Sequence, residues 1–386
     1  MSEYAFIDQA AALIDACGEL RRHDWLALDT EFIREKTFYP KLCLIQVATP
    51  DLQLFCIDPL ALDIDPLLEV FYDPGITKVL HAAHQDLEIF HQLRGSLPAP
   101  VFDTQLAAPL LGYPEQTGYA NLVRERLGVE LPKGHSRTDW AQRPLSADQL
   151  RYAADDVYHL ARLYPALRAA LAEQGRLDWL APDFDLLLDP ETYIVHPEAA
   201  WQRIREATRL KGASLAILQD LAAWREERAQ REDRPRKWIL PDDTLATLAR
   251  LKPKRRVELE RARGLNPGLI RQHGDELIER IQAARTREPL PLPAFTRLPP
   301  LAPAEEAALD LLQGVLRLIA TDNGINPGVL GGRKDLEKLL RGRDDCPLLQ
   351  GWRRRLAGDR LLAVLAGEHQ AGIRDGRLQL APPLSG

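Results

Sequence analysis

No apolar run in this sequence approaches the ~20 residues that span a bilayer, so insertion into a membrane is not expected. The first twenty residues carry Glu3, Asp8, Asp15 and Glu19 and no basic cluster, so they read as a first helix, and the expected location is the cytoplasm. The four cysteines, Cys17, Cys43, Cys56 and Cys346, show no C-x-x-C spacing and read as buried thiols, which sets aside a disulfide framework or a zinc site. A net charge of −6, taken as a whole, disfavours nucleic acid, but a total averages over domains and a local basic face can still bind phosphates.

What is present is a chain of 386 residues, 45% hydrophobic and 27% charged, long enough for two or three domains of ordinary size. Trp25 to Asp29, Leu42 to Ala48 and Leu52 to Ile57 are short β-type runs parted by turn residues, which predicts an antiparallel meander. A helix around Pro66 to Tyr72, a strand at Lys78 to His81, a helix from His84 to Leu93 and a strand at Val101 to Asp103 complete an α/β or α+β sheet domain. Beyond Thr104 the periodicity is helical, with a long helix expected from Ser146, as its cap, through Glu173 and a first-domain end near Leu188.

Residues 201–290 read as helical throughout, with Trp201, Leu218, Leu221 and Trp224 spaced for one buried face. This stretch holds 21 Lys and Arg against 14 Asp and Glu, an excess of +7 that leaves −13 for the rest of the chain. Glu288 to Pro293 is a proline-rich linker, and a further helical region is expected from Pro303 to Asp375. Asn266-Pro267-Gly268 and Asn326-Pro327-Gly328 punctuate both helical regions, which raises the question of a diverged repeat.

Three small groups of residues carry chemistry. Asp29 and Glu31 end the first predicted strand, where positions i and i+2 share a face, so their carboxylates can converge on a hard cation. Taken alone, an acidic pair at a strand end is more often simply solvated. Asp86 lies where a strand gives way to a helix, a place where a carboxylate also complements the helix dipole. Tyr152 and Asp156 are i and i+4 on one helix and stand one turn apart. His81 and His84 have no third zinc-type ligand at a suitable local spacing.

In this order and context the three groups resemble the motifs of the DEDD exonuclease superfamily, in its tyrosine-bearing branch, and specifically of the ribonuclease D family. Leu28-Asp29-Thr30-Glu31-Phe32 resembles the first motif, His81 to Phe90 the second, and Tyr152 with Asp156 the third. Ser136 to Ser146 is similar to the segment that precedes the third motif, and residues 221–229 and 234–243 resemble the helicase-and-RNase-D C-terminal (HRDC) domain. The resemblance covers about residues 1–290; a second copy of the helical module over 300–380 is implied by the family's architecture.

The fold this implies is an α/β ribonuclease H-like exonuclease domain with a mixed sheet over residues 1–190, then two all-α helical-bundle (HRDC) domains at 200–290 and 300–380. The activity it implies is hydrolysis of RNA from the 3′ end, releasing nucleoside 5′-monophosphates with two divalent ions, Mg²⁺ or Mn²⁺. Asp29 would bridge the ions, Glu31 and Asp156 would serve the one that activates water, and Asp86 the one at the leaving 3′ oxygen. Tyr152, with an ordinary pKa near ~10, would orient the attacking water as a neutral hydroxyl. Phe32 is a candidate for stacking on a terminal base, and Lys133, Arg137, Trp140 and Arg143 for holding substrate. The expected partner is a tRNA precursor with a 3′ extension, met by a monomer; a DNA 3′-to-5′ exonuclease and a non-catalytic RNA-binding adaptor are the alternatives.

Overall fold

The computed structural model describes residues 3–132, 138–292 and 300–381. The chain forms two compact units, one drawn from residues 1–31, 43–192 and 299–386, the other from 32–42 and 193–298. The segment after residue 299, which the chain order sets apart as a third region, thus clusters with the sheet unit.

The sheet unit runs β1 (Tyr4–Ile7), α1 (Ala10–Leu20), β2 (Trp25–Ile33), β3 (Lys41–Ala48), β4 (Leu54–Ile57), α2 (Asp65–Phe71), β5 (Thr77–Leu80), α3 (His84–Arg94), β6 (Val101–Asp103), α4 (Thr104–Ala107), α5 (Tyr119–Leu127), α6 (Ala147–Glu173) and α7 (Ala181–Leu187). Its six strands lie in the order β1-β4-β3-β2-β5-β6. The sheet is mixed: β3 and β4 are antiparallel, whereas β1 pairs with β4, β2 with β5 and β5 with β6 in parallel. Cys43 through Ala48 are all buried, the near-continuous apolar run of a strand covered on both faces.

The expected meander strands are neighbours in this sheet. The expected first helix is corrected in part: Tyr4-Ala5-Phe6-Ile7 forms an edge strand in register with Leu54–Ile57, and the helix starts only at Ala10. Aromatic and β-branched residues favour a strand wherever a partner edge is open. Helix α6 starts as its cap predicts, with Ser146 Oγ accepting from Gln149 N and Gln149 Oε1 from Ser146 N, a reciprocal capping box. This fixes the start of the helix that carries Tyr152 and Asp156.

The helical unit consists chiefly of α8 (Gly212–Arg231), α9 (Arg236–Ile239), α10 (Asp242–Leu251) and α11 (Pro267–Arg285). Trp201, Leu218, Leu221 and Trp224 are all buried in its core with Leu248, Leu277 and Ile281, as their spacing predicts. Phe38, from the link between β2 and β3, belongs to the same core, and the Arg236 guanidinium lies 4.4 Å from its ring centroid. Asp233 Oδ1 accepts from the Phe38 and Tyr39 amides, each at 3.0 Å, and so pins that link.

The last segment holds α12 (Pro303–Asp322), α13 (Pro327–Leu330), α14 (Arg333–Leu340), α15 (Gly351–Arg353) and α16 (Asp359–Leu365), then β7 (Gln370–Arg374) and β8 (Arg377–Ala381). The expectation of an all-α region therefore fails after Leu365, where an antiparallel hairpin closes the described chain. Its turn is Asp375-Gly376, with φ of 51° and 73°, the left-handed pair that two-residue hairpin loops require and Asp-Gly supplies. Among the described residues, no helix is long and apolar enough to cross a membrane.

Candidate active site

Strand β2 delivers Asp29 and Glu31, the first turn of α3 delivers Asp86, and α6 delivers Tyr152 and Asp156. One carboxylate oxygen from each of Asp29, Glu31 and Asp156 lies within 4.8 Å of the others. Asp86 is joined to this group through Thr30, whose hydroxyl donates to Asp86 Oδ1 at 2.5 Å. Three segments more than 50 residues apart thus bring four carboxylates together, all of oxygen type and none from histidine or cysteine.

Burial, reinforced by mutual repulsion, disfavours charge on these groups. Asp29 is raised to about 8 by burial and by Asp156, and Glu31 to about 9 by burial and then Asp29, Asp156 and Asp86. Asp86 is raised to about 8 by burial and Asp29, and Asp156 to about 7 chiefly by burial. Tyr152 donates its hydroxyl to the Asp156 carboxylate, and burial followed by the Asp156 charge pushes it far above its ordinary value, so it is a neutral donor. Asp29, Tyr152 and Asp156 face a cavity of about 210 Å³ that is also lined by His81, Tyr119 and Leu160.

With this geometry in view, the matches to known proteins fall into place. Residues 4–172 match a family model described as 3′-5′ exonuclease, and residues 214–281 match the HRDC domain. Ribonuclease D of Pseudomonas paraeruginosa is 42% identical over 374 residues, 94% of this chain and 98% of the relative. Ribonuclease D of Gluconacetobacter diazotrophicus is 40% identical over 367 residues, 94% and 93% of the two chains. The crystal structure of Escherichia coli RNase D, described as an exoribonuclease involved in structured RNA processing, superposes with a TM-score of 0.79 at 34% identity, covering 95% of this chain and 99% of that one. The chain belongs to the ribonuclease D family of 3′-to-5′ exoribonucleases.

Exonucleases of the DEDD type use divalent metal, and the carboxylates here suit one on two counts. Oxygen-only donors select hard cations. Moreover, each acid is held above its ordinary range by burial first and also by a neighbouring carboxylate's charge, a state that a bound cation relieves.

The residues expected to hold substrate fare differently. Phe32 is half-buried, one position beyond Glu31 on β2. Trp140 is only 3% exposed and sits beside Tyr152, ring centroids 6.4 Å apart, so it packs under the site and offers no open face. Arg143 is corrected outright: its Nε and Nη2 grip Asp58 at 2.6 and 2.7 Å, and the remaining N–H groups go to the carbonyls of Cys43, Trp140 and Gln142. All five donors are used within the sheet unit, leaving none for a phosphate. Lys133 and Arg137 lie outside the described residues.

Two residues near the site went unnoticed in the sequence. Asp103, 3% exposed at the end of β6, accepts from Ala82 N at 3.0 Å and Gln105 N at 2.7 Å through Oδ1, and from Ala83 N at 2.9 Å through Oδ2. It clamps the β5–α3 turn, where Ala82 has φ of 59°, a left-handed conformation that costs an alanine about 1–2 kcal/mol. That turn sets where α3 presents Asp86. Tyr119 donates its hydroxyl to the Asp156 carbonyl and holds the α6 backbone at this member of the carboxylate cluster. An aspartate three residues into a short strand carries no local signal for a clamp, because its three partners are set by the tertiary turn.

Proposed function

We propose that this enzyme hydrolyses RNA from its 3′ end with two divalent ions, Mg²⁺ or Mn²⁺, releasing nucleoside 5′-monophosphates. The observation that carries this reading is the convergence of Asp29, Glu31 and Asp156 within 4.8 Å, with Asp86 tied in through Thr30. Two such ions, when bound, would supply an activated water and relief of charge on the leaving 3′ oxygen. Asp29 would serve both positions, Glu31 and Asp156 the one on the water side, and Asp86 the one on the leaving-group side. Tyr152, neutral and already a donor to Asp156, holds and orients the attacking water.

The substrates we assign are tRNA precursors with a 3′ extension, met in the cytoplasm by a monomer. The E. coli relative's role in structured RNA processing and the +7 charge excess of residues 201–290 support an RNA of this kind. Residues 1–190, 200–290 and 300–380 are read as the exonuclease and two copies of one helical module. In support, Asn266 and Asn326 cap their helices alike, each accepting from the amide of the glycine two positions on, at 2.7 and 2.9 Å.

The test is digestion of 5′-labelled single-stranded RNA with Mg²⁺ or Mn²⁺, set beside the matched DNA. A ladder shortening from the 3′ end, abolished by EDTA and in Asp156→Ala, is the expected result. Tyr152→Phe should lose about 100-fold in turnover, the low end of the ~10²–10⁴-fold that a positioned acid–base group contributes, because it orients the water as a neutral hydroxyl, with metal affinity unchanged. RNA left intact under every metal condition would end this reading.

A further inference from the structure

Among the described residues, one further group of metal-type donors converges in the sheet unit, away from the carboxylate cluster. Glu19 stands in the last turn of α1, His23 follows the end of that helix, and Asp51 lies in the turn between β3 and β4. One oxygen of each acid and one imidazole nitrogen lie within 4.8 Å of one another. His23 Nε2 is 3.7 Å from Glu19 Oε1 and 3.7 Å from Asp51 Oδ1, too far to donate to or accept from either. That nitrogen is shut off from solvent and has no hydrogen-bond partner among the described residues, a state that native folds rarely leave unanswered.

This spacing suits a shared cation better than direct pairing. Ligands at the ~2.1 Å of zinc–nitrogen and zinc–oxygen bonds stand ~3.4 Å apart on a tetrahedron, and the two 3.7 Å separations come within a few tenths of that edge. Neighbouring groups hold the carboxylates in place: Arg22 Nη1 donates to Glu19 Oε2 at 2.8 Å, Thr49 Oγ1 to Asp51 Oδ1 at 2.5 Å, and Gln53 Nε2 to Asp51 Oδ2 at 3.1 Å and Glu19 Oε1 at 3.3 Å. The C-terminal end of α1 adds partial negative charge on the same side. We propose that Glu19, His23 and Asp51 bind a divalent transition-metal ion of the zinc type, which ties the end of α1 to the β3–β4 turn. The imidazole sets the class of ion, since nitrogen beside carboxylate suits Zn²⁺, whereas the oxygen-only cluster of Asp29, Glu31, Asp86 and Asp156 suits a harder one. No ligand is shared with that cluster, so this site stands whether or not the chain acts on RNA.

The experiment is isothermal titration of the full chain with Zn²⁺ in excess Mg²⁺, which competes for the oxygen-only cluster and has little use for an imidazole. Wild type should show a Zn²⁺ site that His23→Ala lacks. Asp51→Asn should weaken it by at least the ~10- to 100-fold that loss of a ligand's hydrogen-bond partner costs. Under the same conditions Zn²⁺ should raise the melting temperature of wild type more than that of His23→Ala. Histidine-selective ¹⁵N spectra of wild type read the site directly, because the His23 Nε2 resonance should shift when Zn²⁺ is added. Circular dichroism without Zn²⁺ checks the fold of each variant, and His23→Gln replaces His23→Ala if the smaller side chain unfolds the protein. If the variants bind Zn²⁺ as wild type does, or if the His23 resonance stays in place, the proposal is overturned and the three residues form only an ion pair between an imidazolium and two carboxylates.

Discussion

In the helical unit Glu226 is 1% exposed, and Arg236 answers it with Nε at 2.9 and 2.7 Å from its two oxygens. In the sheet unit Asp29, Glu31, Asp86 and Asp156 stand together, and among the described residues no lysine or arginine acts on any of them. Both units therefore remove carboxylates from water, but at the four-acid cluster, unlike at Glu226 or at Asp58 with Arg143, the chain supplies no counter-charge of its own. A buried charge stripped of its partner is strongly destabilising, so a fold that gathers four acids without one tolerates that loss for a ligand's sake. The contrast separates carboxylates that hold structure from carboxylates that, on the function proposed above, would hold a cation.

The sharpest way to break the contrast is Asp29→Asn. It should lower turnover about a thousandfold or more, since bound metal is worth several kcal/mol in the transition state and ~1.4 kcal/mol is a factor of ten. The same change should raise the melting temperature of the metal-free protein by a few degrees, because it removes one member of a repelling group. A lower metal-free melting temperature would show that Asp29 is a structural acid. Glu226→Gln should do the reverse and lower stability by about 2 kcal/mol, less than a fully buried pair because Arg236 is 32% exposed. Urea denaturation at constant m-value measures it, and an unchanged midpoint would remove the distinction between the units.

The smallest effect is in pH. Asp29 and Glu31 are raised to about 8 and about 9 in the folded chain, above the ~4 of an unfolded carboxylic acid. The folded state therefore holds protons more tightly, so the stability they contribute is complete at low pH and drains away as pH climbs through 8 and 9. Metal-free protein should melt at a lower temperature at pH 9 than at pH 6, and Mg²⁺ should flatten that slope by taking the protons' place. A metal-free melting temperature that rises over this interval would contradict the crowding.

The sequence shows features whose partners are close in the chain. Ser146 and Gln149 announce the start of α6, and the spacing of Trp201, Leu218, Leu221 and Trp224 marks one buried face. The acids were legible because strand and helix periodicity put Asp29 beside Glu31 and Tyr152 beside Asp156. What escaped depends on distant partners. Tyr4–Ile7 is a strand because Leu54–Ile57 offers an edge some fifty residues later, and Asp103 is a clamp because Ala82 adopts a left-handed turn. Arg143 looked free for phosphate because a sequence displays a charge without displaying Asp58 across the fold. The β7–β8 hairpin is a different case: Asp375-Gly376 between alternating residues is a local signal, and a helical expectation for the whole segment obscured it.

Phe38 is 3% exposed, and its place is in the core of the helical unit, although it lies more than 150 residues upstream of that core's other buried residues. The helical unit is therefore not a cassette. A piece excised as residues 193–298 would leave a hole the size of a benzyl group beside Arg236 and would strip Asp233 of two amide donors. Duplication, transplantation or shuffling of this helical module has to carry the separate segment of residues 32–42 with it, or find another aromatic plug.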